Sequence, residues 1–531
     1  MSTITTPLAG PVSVPGAPEV PASLAADSVW TDAAVAAAGL PVVDAPLVSI
    51  GGGLGSLALV DVLRLSGVPC EDVAVVTTLA EPADTYRYLA RNSQIDADDR
   101  LRSDAGSVMD NIWGFPSYAW REAWDDRSLS PLLTVATEPL IAEYFTPRAG
   151  QVYRSVSREV ARIGWDRMVH GGLGRVVRRR DEEGYFVLVA PVRGERRGPA
   201  ADRVRALRCR HVHLAVGYPG IRLLDDLRAF RAAHPDHGHR ILNAYEPHEH
   251  AYAEARRRPT TVVVRGSGIV ASRVIERLLS DITEHGADTR VLHLFRHYVD
   301  GPQGRAPWFR RPGRDGYAYQ AFNFPKAAWG GQVRDRVEAA SGEERAALVR
   351  RLGGTNTAPR RTWQRQQRRM ARAGRYVALT GVVRDVRPGA DGRSIVTTLG
   401  PTSGDGAGQA VAADLVIDAT GLQAELTDHA LLADLLAHGG ATRNPSGRLE
   451  VTPQFEVVGA RSRAGRVYAT GSITLGGPYA GVDSFLGLQY GALRIADELA
   501  AAGFASRLGP LRSTRQWWRW ARNRTPEGAR P

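Results

Sequence analysis

Short apolar runs that end in glycine and pass into amphipathic helices organise this chain. The first run spans 47 to 50, and the stretch "GGGLGS" leads from it into a helical pattern. A second apolar run at 72 to 78 follows that helix, so the pattern predicts a strand–helix–strand unit over about 46 to 78. The same order returns at 260 to 282 and 290 to 297, which predicts a second unit of the same kind.

Between and after the two units the pattern predicts helices and short strands. A helical stretch is expected at 132 to 170, and no internal repeat is visible beyond the two units themselves. The further strands, in chain order, are "YFVLVAPV", "CRHVHLAVGYPG", "RYVALTGVVRDV", "SIVTTL", "ADLVIDATG" and "GRVYATGS", followed by a long helix at 483 to 502. Strands that alternate with helices in this way indicate an α/β fold.

The composition narrows the class of protein. The 531 residues, 43% of them hydrophobic and 23% charged, are enough for about two globular domains. The formal charge of +12 comes from Arg spread along the chain, and no recognition motif accompanies it, so nucleic-acid binding is disfavoured. Cys70 and Cys209 form no CxxC, which argues against a disulfide framework or a zinc site and fits a reducing cytoplasm. The histidines form no set of metal ligands, and no run reaches the length of a membrane span.

The first glycine loop has the spacing of a dinucleotide-binding turn. Gly51, Gly53 and Ser56 occupy a GxGxx(G/S) pattern between strand and helix, and Gly55 lies inside it. The first glycine permits a tight turn, and the second lets the backbone approach a pyrophosphate. The helix N-terminus offers N–H groups to the same pyrophosphate. The strand and helix around the loop therefore favour a dinucleotide site.

The second glycine loop repeats this arrangement. Gly266, Gly268 and Ala271 form GxGxxA, again between a strand and a helix. The next strand ends in Arg296, where an acidic residue would repel a 2′-phosphate and Arg would accept it. That position favours NADPH over NADH. The alternative is that Arg296 is one more solvated Arg among many. The sequence supports the phosphate-binding role and the solvated role equally.

The paired loops and two later motifs resemble those of the two-dinucleotide-binding-domain flavoproteins. The resemblance covers about 46 to 503. The motif "VIDATG" is similar to the ATG signature of flavin-containing and N-hydroxylating (class B) monooxygenases, and "VYATGS" precedes a helix that closes over the flavin in such enzymes. The residues in this C-terminal part that the resemblance assigns to the cofactors are Thr420, Gly421, Gly471, Asp483 and Ser484.

The resemblance implies FAD at the first loop and NADPH at the second, as a hydride relay requires. In such enzymes NADPH reduces the flavin, oxygen adds to give a flavin hydroperoxide, and an amine takes the distal oxygen. The expected activity is N-hydroxylation of a small amine or amino acid, in the biosynthesis of a specialised metabolite. The fold is expected to be two Rossmann-like domains, the NAD(P)H domain inserted in the FAD domain. The expected segments are a flexible leader (1–44), the FAD-binding domain (45–256 and 376–505), the NAD(P)H-binding domain (257–375) and a basic aromatic tail (506–531).

One lysine stands among the 68 Lys plus Arg residues, in "FNFPKAAWGGQ". Lys is a compact ammonium, whereas Arg is a broad planar fork, so a retained Lys is expected where the fork does not fit. Lys326 is therefore a candidate for contact with the flavin, the nicotinamide phosphate or a substrate carboxylate, with Asn323 offering amide hydrogen bonds. A chance survivor on a surface turn is the alternative.

A second loop, "RSDAGSVMDNIWGFPSYAW", corresponds to a region that approaches the flavin face in the superfamily. Asn111 and Trp113 are candidates for that contact, with Arg91 and Gln94 as weaker ones, and ordinary loop packing is the alternative. The basic C-terminal stretch "RSTRQWWRWARNR" is expected to dock on the protein's own core in preference to an anionic surface.

Other functions stay open. The missing CxxC excludes dithiol chemistry of the thioredoxin-reductase type, and no Baeyer–Villiger or flavin-halogenase motif is present. A flavin oxidoreductase without oxygen insertion is one alternative. A non-catalytic dinucleotide-binding protein is another, because Thr77 and Thr78 stand where an acidic residue would bind ribose. Glu81 is the nearby carboxylate that is a candidate to reach the ribose instead. The expected partners are the amine, molecular oxygen and no nucleic acid, with a homo-oligomer left open.

Overall fold

The computed structural model describes residues 20–101, 116–141, 145–192, 203–296, 332–352, 361–402 and 408–528. Within these ranges the strands, in chain order, are β1 (Val29–Trp30), β2 (Val42–Asp44), β3 (Leu47–Ile50), β4 (Val73–Thr77), β5 (Val169–Gly171), β6 (Leu173–Arg180), β7 (Tyr185–Ala190), β8 (Arg205–Cys209), β9 (His211–Leu214), β10 (Gly220–Ile221), β11 (Ile241–Asn243), β12 (Thr260–Arg265), β13 (Thr289–Phe295), β14 (Tyr376–Thr380), β15 (Val382–Pro388), β16 (Ile395–Gly400), β17 (Gln409–Ala413), β18 (Leu415–Asp418), β19 (Leu422–Gln423) and β20 (Arg466–Ala469). The α-helices are α1 (Ala22–Ala25), α2 (Asp32–Ala37), α3 (Leu54–Leu65), α4 (Asp84–Asn92), α5 (Pro116–Asp125), α6 (Ser130–Ile141), α7 (Ala149–Ile163), α8 (Asp225–Ala233), α9 (Glu249–Arg257), α10 (Ile269–His285), α11 (Gln332–Ala339), α12 (Gly342–Leu352), α13 (Arg361–Arg372), α14 (Ala430–His438), α15 (Phe485–Ala501) and α16 (Pro510–Ala521).

The first glycine loop follows β3, the central strand of a five-stranded parallel sheet, and lies at the carboxyl end of that strand. The strand order of the sheet is β20-β9-β3-β4-β5. Every residue of β3 and β4 is buried, which is the pattern of a parallel sheet covered on both faces. Helices α3 and α15 pack against each other. The carboxyl ends of β3, β9 and β20 therefore meet next to the loop.

The second glycine loop follows β12, the central strand of another five-stranded parallel sheet, and lies at the carboxyl end of that strand. The strand order of this sheet is β11-β18-β12-β13-β14. All five strands occur in the chain between β9 and β20 of the first sheet, so the second unit is inserted into the first. The expected α/β fold, with two Rossmann-like units and one inserted in the other, is confirmed.

Sheet membership divides the chain differently from the expected segments at several strands. Strand β11 falls in the range 45–256, and β14 and β18 fall in the range 376–505, yet all three pair within the second sheet. Strands β15, β16 and β17 form an antiparallel sheet beside it. The sequence pattern marks each strand but not its hydrogen-bonding neighbour, which is set by contacts between distant segments. The boundaries of independently folding domains stay a prediction.

The expected flexible leader, 1–44, is corrected for residues 20–44. Strands β1 and β2 add in parallel to the two edges of the β6-β7-β8 sheet, and Thr31 caps α2 by accepting from the Ala34 N–H. The Trp30 side chain is fully buried, and its indole N–H donates to the Leu24 carbonyl at 3.0 Å. The Pro- and Ala-rich composition of this segment gave no sign of the small apolar cluster that includes Leu24, Trp30 and Val35.

The basic aromatic tail docks on the protein's own core. The Gln516 amide donates to the Leu65 carbonyl at 2.8 Å, and the Arg158 guanidinium on α7 donates to the Trp520 carbonyl at 2.6 Å. Trp520 is 9% exposed, whereas Trp518 is 50% exposed. The docked arrangement expected for this segment is the one observed for α16.

Candidate functional site

The turn between β3 and α3 is built so that only glycine fits at its first two positions. Gly51 has φ +125°, and a Cβ there would lie 2.7 Å from the carbonyl carbon of Ala215, just after β9. Gly52 has φ +63°, and its Cβ would overlap the Thr77 side chain. Both the backbone conformation and the space therefore exclude a side chain. The loop is held directly against the neighbouring strands.

Gly53 differs, because no protein atom requires it to be glycine. It is the N-cap of α3 with φ −82° and ψ −165°, an extended conformation open to other residues. The nearest atoms to an added Cβ are Leu79 Cδ1 and the Pro82 carbonyl oxygen, both at 3.9 Å. Gly55 packs closely, since its Cβ would lie 3.1 Å from the Ala215 Cβ. The N–H groups at the N-terminus of α3 are of the kind that binds an anionic group.

A chain of buried polar groups runs beneath the first loop, across three strands. The Gly52 N–H donates to Ser56 Oγ at 3.0 Å, and Ser56 Oγ lies 2.9 Å from Ser49 Oγ. Ser49 Oγ lies 2.9 Å from His213 Nδ1, and His213 Nε2 lies 2.8 Å from Thr470 Oγ1. Burial lowers the pKa of His213 to about 3, so the ring is neutral near pH 7. We refer to these groups as the Ser–His–Thr chain.

Ser56 was expected at the loop, but the sequence did not reveal the rest of the Ser–His–Thr chain. In the sequence His213 is one of the histidines that form no set of metal ligands, and the pattern assigns no role to Ser49 or Thr470. The signal available was weak: each is a polar residue among apolar neighbours in "LVSIGG", "HVHLAV" or "VYATGS". Only the strand pairing brings the three together.

The turn after β20 adds an unsatisfied polar atom. Gly471 has φ +82° and begins a 3-10 turn that ends at Thr474, whose hydroxyl donates to the Gly471 carbonyl at 2.9 Å. Ser472 is 4% exposed, and its Oγ has no hydrogen-bond partner among the described residues. Buried hydroxyls are normally paired, so an absent ligand is a physical explanation for this one.

The N-terminus of α15 completes this side of the site. Ser484 Oγ accepts from the Gly487 N–H at 3.0 Å, which is the expected N-cap. The Asp483 carboxylate accepts a hydrogen bond from the Tyr218 hydroxyl at 2.8 Å. Burial, and then Asp483, raise the pKa of Tyr218 well above its ordinary value, and the same causes raise the pKa of Tyr245 to about 12. Both phenols therefore remain protonated donors at neutral pH.

At the end of β4, Thr77 stands where the sequence pattern of a dinucleotide site would have an acidic residue for the ribose. The Thr77 hydroxyl accepts from the Leu79 N–H at 3.0 Å and lies 3.3 Å from the Gly51 carbonyl oxygen, so it braces the loop from below. Glu81 forms an ion pair with Arg87 at 2.5 Å. The structure thus gives Thr77 a bracing role, and Glu81 already has a cationic partner.

The second loop has nearly the same geometry as the first. Gly266 has φ +124°, and a Cβ there would lie 2.9 Å from the carbonyl carbon of Ala419, just after β18. Gly268 is the N-cap of α10 with φ −81° and ψ −174°, and Ala271 is fully buried in the first turn. Each loop therefore has its first glycine against the end of a neighbouring strand and its second glycine at a helix N-terminus.

A buried histidine fixes the second loop. His293 Nε2 lies 2.6 Å from the Gly266 carbonyl oxygen, and Nδ1 lies 2.9 Å from the Tyr376 hydroxyl. Burial lowers the pKa of His293 to about 4, so the ring is neutral near pH 7. Because a carbonyl only accepts, the ring proton is on Nε2, and Nδ1 accepts from Tyr376. This contact ties the second loop to β14.

The ATG motif lies against the second loop. The Asp418 carboxylate accepts from the Thr420 N–H at 3.0 Å, from its hydroxyl at 2.6 Å, and from the Leu224 N–H at 2.8 Å. Gly421 has φ +141°, and a Cβ there would meet no atom within 4 Å. Arg296 is exposed at the end of β13. Thr420 and Gly421 therefore belong with Gly266, whereas Gly471 and Ser484 belong with Gly51.

Four candidates lie outside the described residues: Asn111, Trp113, Asn323 and Lys326. Of the two weaker ones, Arg91 is exposed on α4, and the Gln94 amide donates to Glu249 at 3.0 Å. Among the described residues, no group of three or more His, Cys, Asp or Glu is placed to hold a metal ion. The helices of those same ranges include none that is long and apolar enough to cross a membrane.

Comparison with known proteins defines the class of fold. No family model and no curated protein sequence matches the chain. Among solved structures, an ornithine N-hydroxylase (KtzI) from Kutzneria sp. 744, with reduced FAD, NADP⁺ and L-ornithine, matches 87% of this chain and 100% of its own at 14% identity and TM-score 0.57. The ornithine hydroxylase PvdA from Pseudomonas aeruginosa matches 85% and 98% at 14% identity and TM-score 0.53. The cadaverine monooxygenase DfoA from Erwinia amylovora, bound to FAD, matches 86% and 93% at 12% identity and TM-score 0.58. The chain has the fold that these enzymes share.

Proposed function

We propose that the chain is an FAD- and NADPH-dependent monooxygenase that N-hydroxylates a small amine or amino acid. The observation that carries the proposal is the pair of glycine loops of equal geometry, at Gly51 and Gly266, in one chain. Each presents a helix N-terminus beside the end of a parallel strand, the usual place for a pyrophosphate. The fold likeness along most of the chain to an ornithine N-hydroxylase with both cofactors adds support.

FAD fits the first loop. A bound dinucleotide would account for two features: a glycine at position 53, where an added Cβ would come no closer than 3.9 Å to Leu79 Cδ1 or the Pro82 carbonyl oxygen, and a buried Ser472 hydroxyl without a hydrogen-bond partner among the described residues. The N-terminus of α3 would hold the pyrophosphate, and the turn at Gly471 and the start of α15 would hold the flavin end. Bound FAD would supply the redox chemistry and the activation of oxygen, and the protein residues would position it and exclude water.

NADPH fits the second loop. The N-terminus of α10 would hold its pyrophosphate, and Arg296 stands at the end of β13, where the group that binds the ribose usually lies. A guanidinium there attracts a 2′-phosphate, which NADH lacks. The proposed preference for NADPH rests on this one exposed side chain.

The residues near α15 would act on the substrate through position and charge. Tyr218 and Tyr245 keep their protons, and the Asp483 carboxylate that Tyr218 binds offers a negative charge near the start of α15. An amine must be uncharged to act as a nucleophile, and burial would lower its pKa. The Asp483 carboxylate would instead attract the protonated amine and orient it. Lys326 and Asn323 stay candidates for contact with the substrate or the cofactors.

We also propose a cytoplasmic location, supported by Cys70 and Cys209, which are both free and buried. Molecular oxygen would be the second substrate. The mass of the protein in solution, measured by light scattering, tests whether copies of the chain associate.

The visible spectrum of the purified protein with FAD, before and after anaerobic NADPH, tests the proposal. We expect bound flavin that loses its colour with NADPH and more slowly with NADH. Oxygen uptake should then be coupled to hydroxylamine formation from one of a panel of amines that includes ornithine, lysine and cadaverine. Flavin reduction without any coupled product would indicate a dehydrogenase, and no flavin binding would indicate a non-catalytic binding protein.

A further inference from the structure

The Ser–His–Thr chain connects two parts of the proposed flavin site that are distant in sequence. Ser49 and Ser56 belong to the first loop and its flanking elements, His213 to β9, and Thr470 to the turn after β20. The four side chains are between 0% and 2% exposed. No water is expected to replace one of these hydrogen bonds, so each group depends on the next.

A count of protons gives the Ser–His–Thr chain one surplus donor. The three hydroxyls, the Gly52 N–H and a neutral imidazole carry five N–H or O–H groups, whereas four hydrogen bonds join them. Each hydrogen bond uses one proton. One O–H must therefore point out of the series, and it belongs to Ser56, Ser49 or Thr470.

The surplus donor is best placed at an end of the series. At Ser49, on the central strand β3, it would leave a fully buried O–H without an acceptor, which is unfavourable. Both ends adjoin the first loop: Ser56 lies in the first turn of α3, and Thr470 Oγ1 lies 3.4 Å from the position of a Cβ on Gly55. Ser56 already accepts the Gly52 N–H. Among the described residues, the structure shows no further acceptor for either hydroxyl.

We propose that His213 is a positioning residue that fixes the first glycine loop against the turn after β20 and so holds the backbone N–H groups of the loop in place for the bound dinucleotide. Ser49 donates to Ser56, so Ser49 accepts from His213 Nδ1–H, His213 Nε2 accepts from the Thr470 hydroxyl, and the surplus O–H is that of Ser56. The inference rests on the proposed binding of FAD at the first loop. It assigns roles to Ser49, His213 and Thr470 in that binding.

The positioning role of His213 is tested by two measurements: the FAD dissociation constant of refolded apoprotein and the thermal midpoint of the apoprotein. His213→Leu removes the link, and Thr470→Val removes the end donor at almost constant volume. His213→Gln keeps one acceptor and a donor and serves as the rescue. His211→Leu is the matched control, because His211 lies two residues earlier on β9 and is 1% exposed, and neither of its ring nitrogens has a hydrogen-bond partner among the described residues.

We expect His213→Leu and Thr470→Val each to raise the dissociation constant about tenfold, which corresponds to about 1.4 kcal/mol. The double variant should bind no more than about threefold more weakly than the weaker single variant, because both changes break the same series. His213→Gln should recover most of the affinity. His211→Leu should leave the dissociation constant unchanged, whatever its effect on the thermal midpoint.

A merely structural role would lower the thermal midpoint and leave the dissociation constant of the folded protein unchanged. That result for both His213→Leu and Thr470→Val would overturn the inference, as would multiplicative effects in the double variant. If His213→Leu does not fold, Thr470→Val and His213→Gln still decide. Absence of FAD binding by the wild-type protein would overturn the proposed function itself, and so is distinguishable.

Discussion

Replacing Gly53 by alanine separates binding of the dinucleotide from stability of the fold. The residue has an ordinary extended conformation, and an added methyl would lie 3.9 Å from its nearest protein neighbours. The methyl would, however, stand at the N-terminus of α3, where the second glycine of a dinucleotide loop lets the backbone approach a pyrophosphate. The added methyl should therefore leave the stability of the apoprotein almost unchanged and hinder the approach of the pyrophosphate to the backbone.

The expected magnitudes follow from these contacts. Alanine is a poorer N-cap than glycine by about 1 kcal/mol, and the stiffer unfolded chain recovers about half of that, so the free energy of unfolding should change by less than about 1 kcal/mol. Displacing the pyrophosphate would remove at least one hydrogen bond to a charged group, worth about 1.5–3 kcal/mol. The FAD dissociation constant should then rise by roughly 10- to 150-fold.

Titration of apoprotein with FAD, followed by flavin fluorescence, measures the affinity, and thermal unfolding of the apoprotein measures stability. Gly51→Ala is the contrasting control, because its Cβ would meet the Ala215 carbonyl and its φ is positive, so the thermal midpoint itself should fall. Gly268→Ala is the matched variant of the second loop and should raise the KM for NADPH without changing FAD affinity. A Gly53→Ala protein with a normal thermal midpoint and an FAD dissociation constant within twofold of wild type would refute this account of the loop.

Substitutions at three further positions test other parts of the site. Arg296→Ser should raise the KM for NADPH about tenfold or more and leave that for NADH unchanged, because the guanidinium is expected to bind only the 2′-phosphate; the exposed Arg290→Ser on the same strand is its control, and equal effects on both nucleotides would contradict the assignment. His293 contributes stability that is fully present above pH 6.5, its unfolded value, and is lost as the pH falls through about 4, its folded pKa. The free energy of unfolding of His293→Gln should thus fall less steeply in that window, by about 1.4 kcal/mol per pH unit, in urea titrations with the exposed His239→Gln as control; parallel curves would be inconsistent with a buried neutral imidazole. Lys326→Arg and Lys326→Ala should both reduce the coupling of NADPH oxidation to product, and normal coupling in both would return Lys326 to chance survival.

The two glycine loops could be predicted from the sequence because every feature that defines them is local. An apolar strand, glycines at fixed spacing and an amphipathic helix are adjacent in the chain, and Gly51 and Gly266 behave as that pattern requires. The same local pattern located β18 and β20 but not the sheet to which each belongs.

Features that depend on distant contacts were not predictable in this way. The composition of the first 44 residues suggested a flexible segment, whereas the burial of Trp30 depends on a sheet whose strands come much later in the chain. His213 looked like an ordinary strand residue because Ser49 and Thr470 reach it only through strand pairing. Likewise, Thr77 replaces the usual acidic residue at a place where bracing of the loop is visible only in three dimensions.

The insertion of the second unit between β9 and β20 sets the order in which the protein can be assembled during synthesis. When β9 leaves the ribosome, its outer edge has no partner, and β20 arrives only after the whole inserted unit has been made. Until then the first sheet carries an unpaired edge, which is a hazard for association between nascent chains. The inserted unit, whose five strands follow one another within the gap, can form its own sheet in the meantime. The proposed flavin site would therefore be completed only after the inserted unit has been made, so FAD would be bound late in biogenesis.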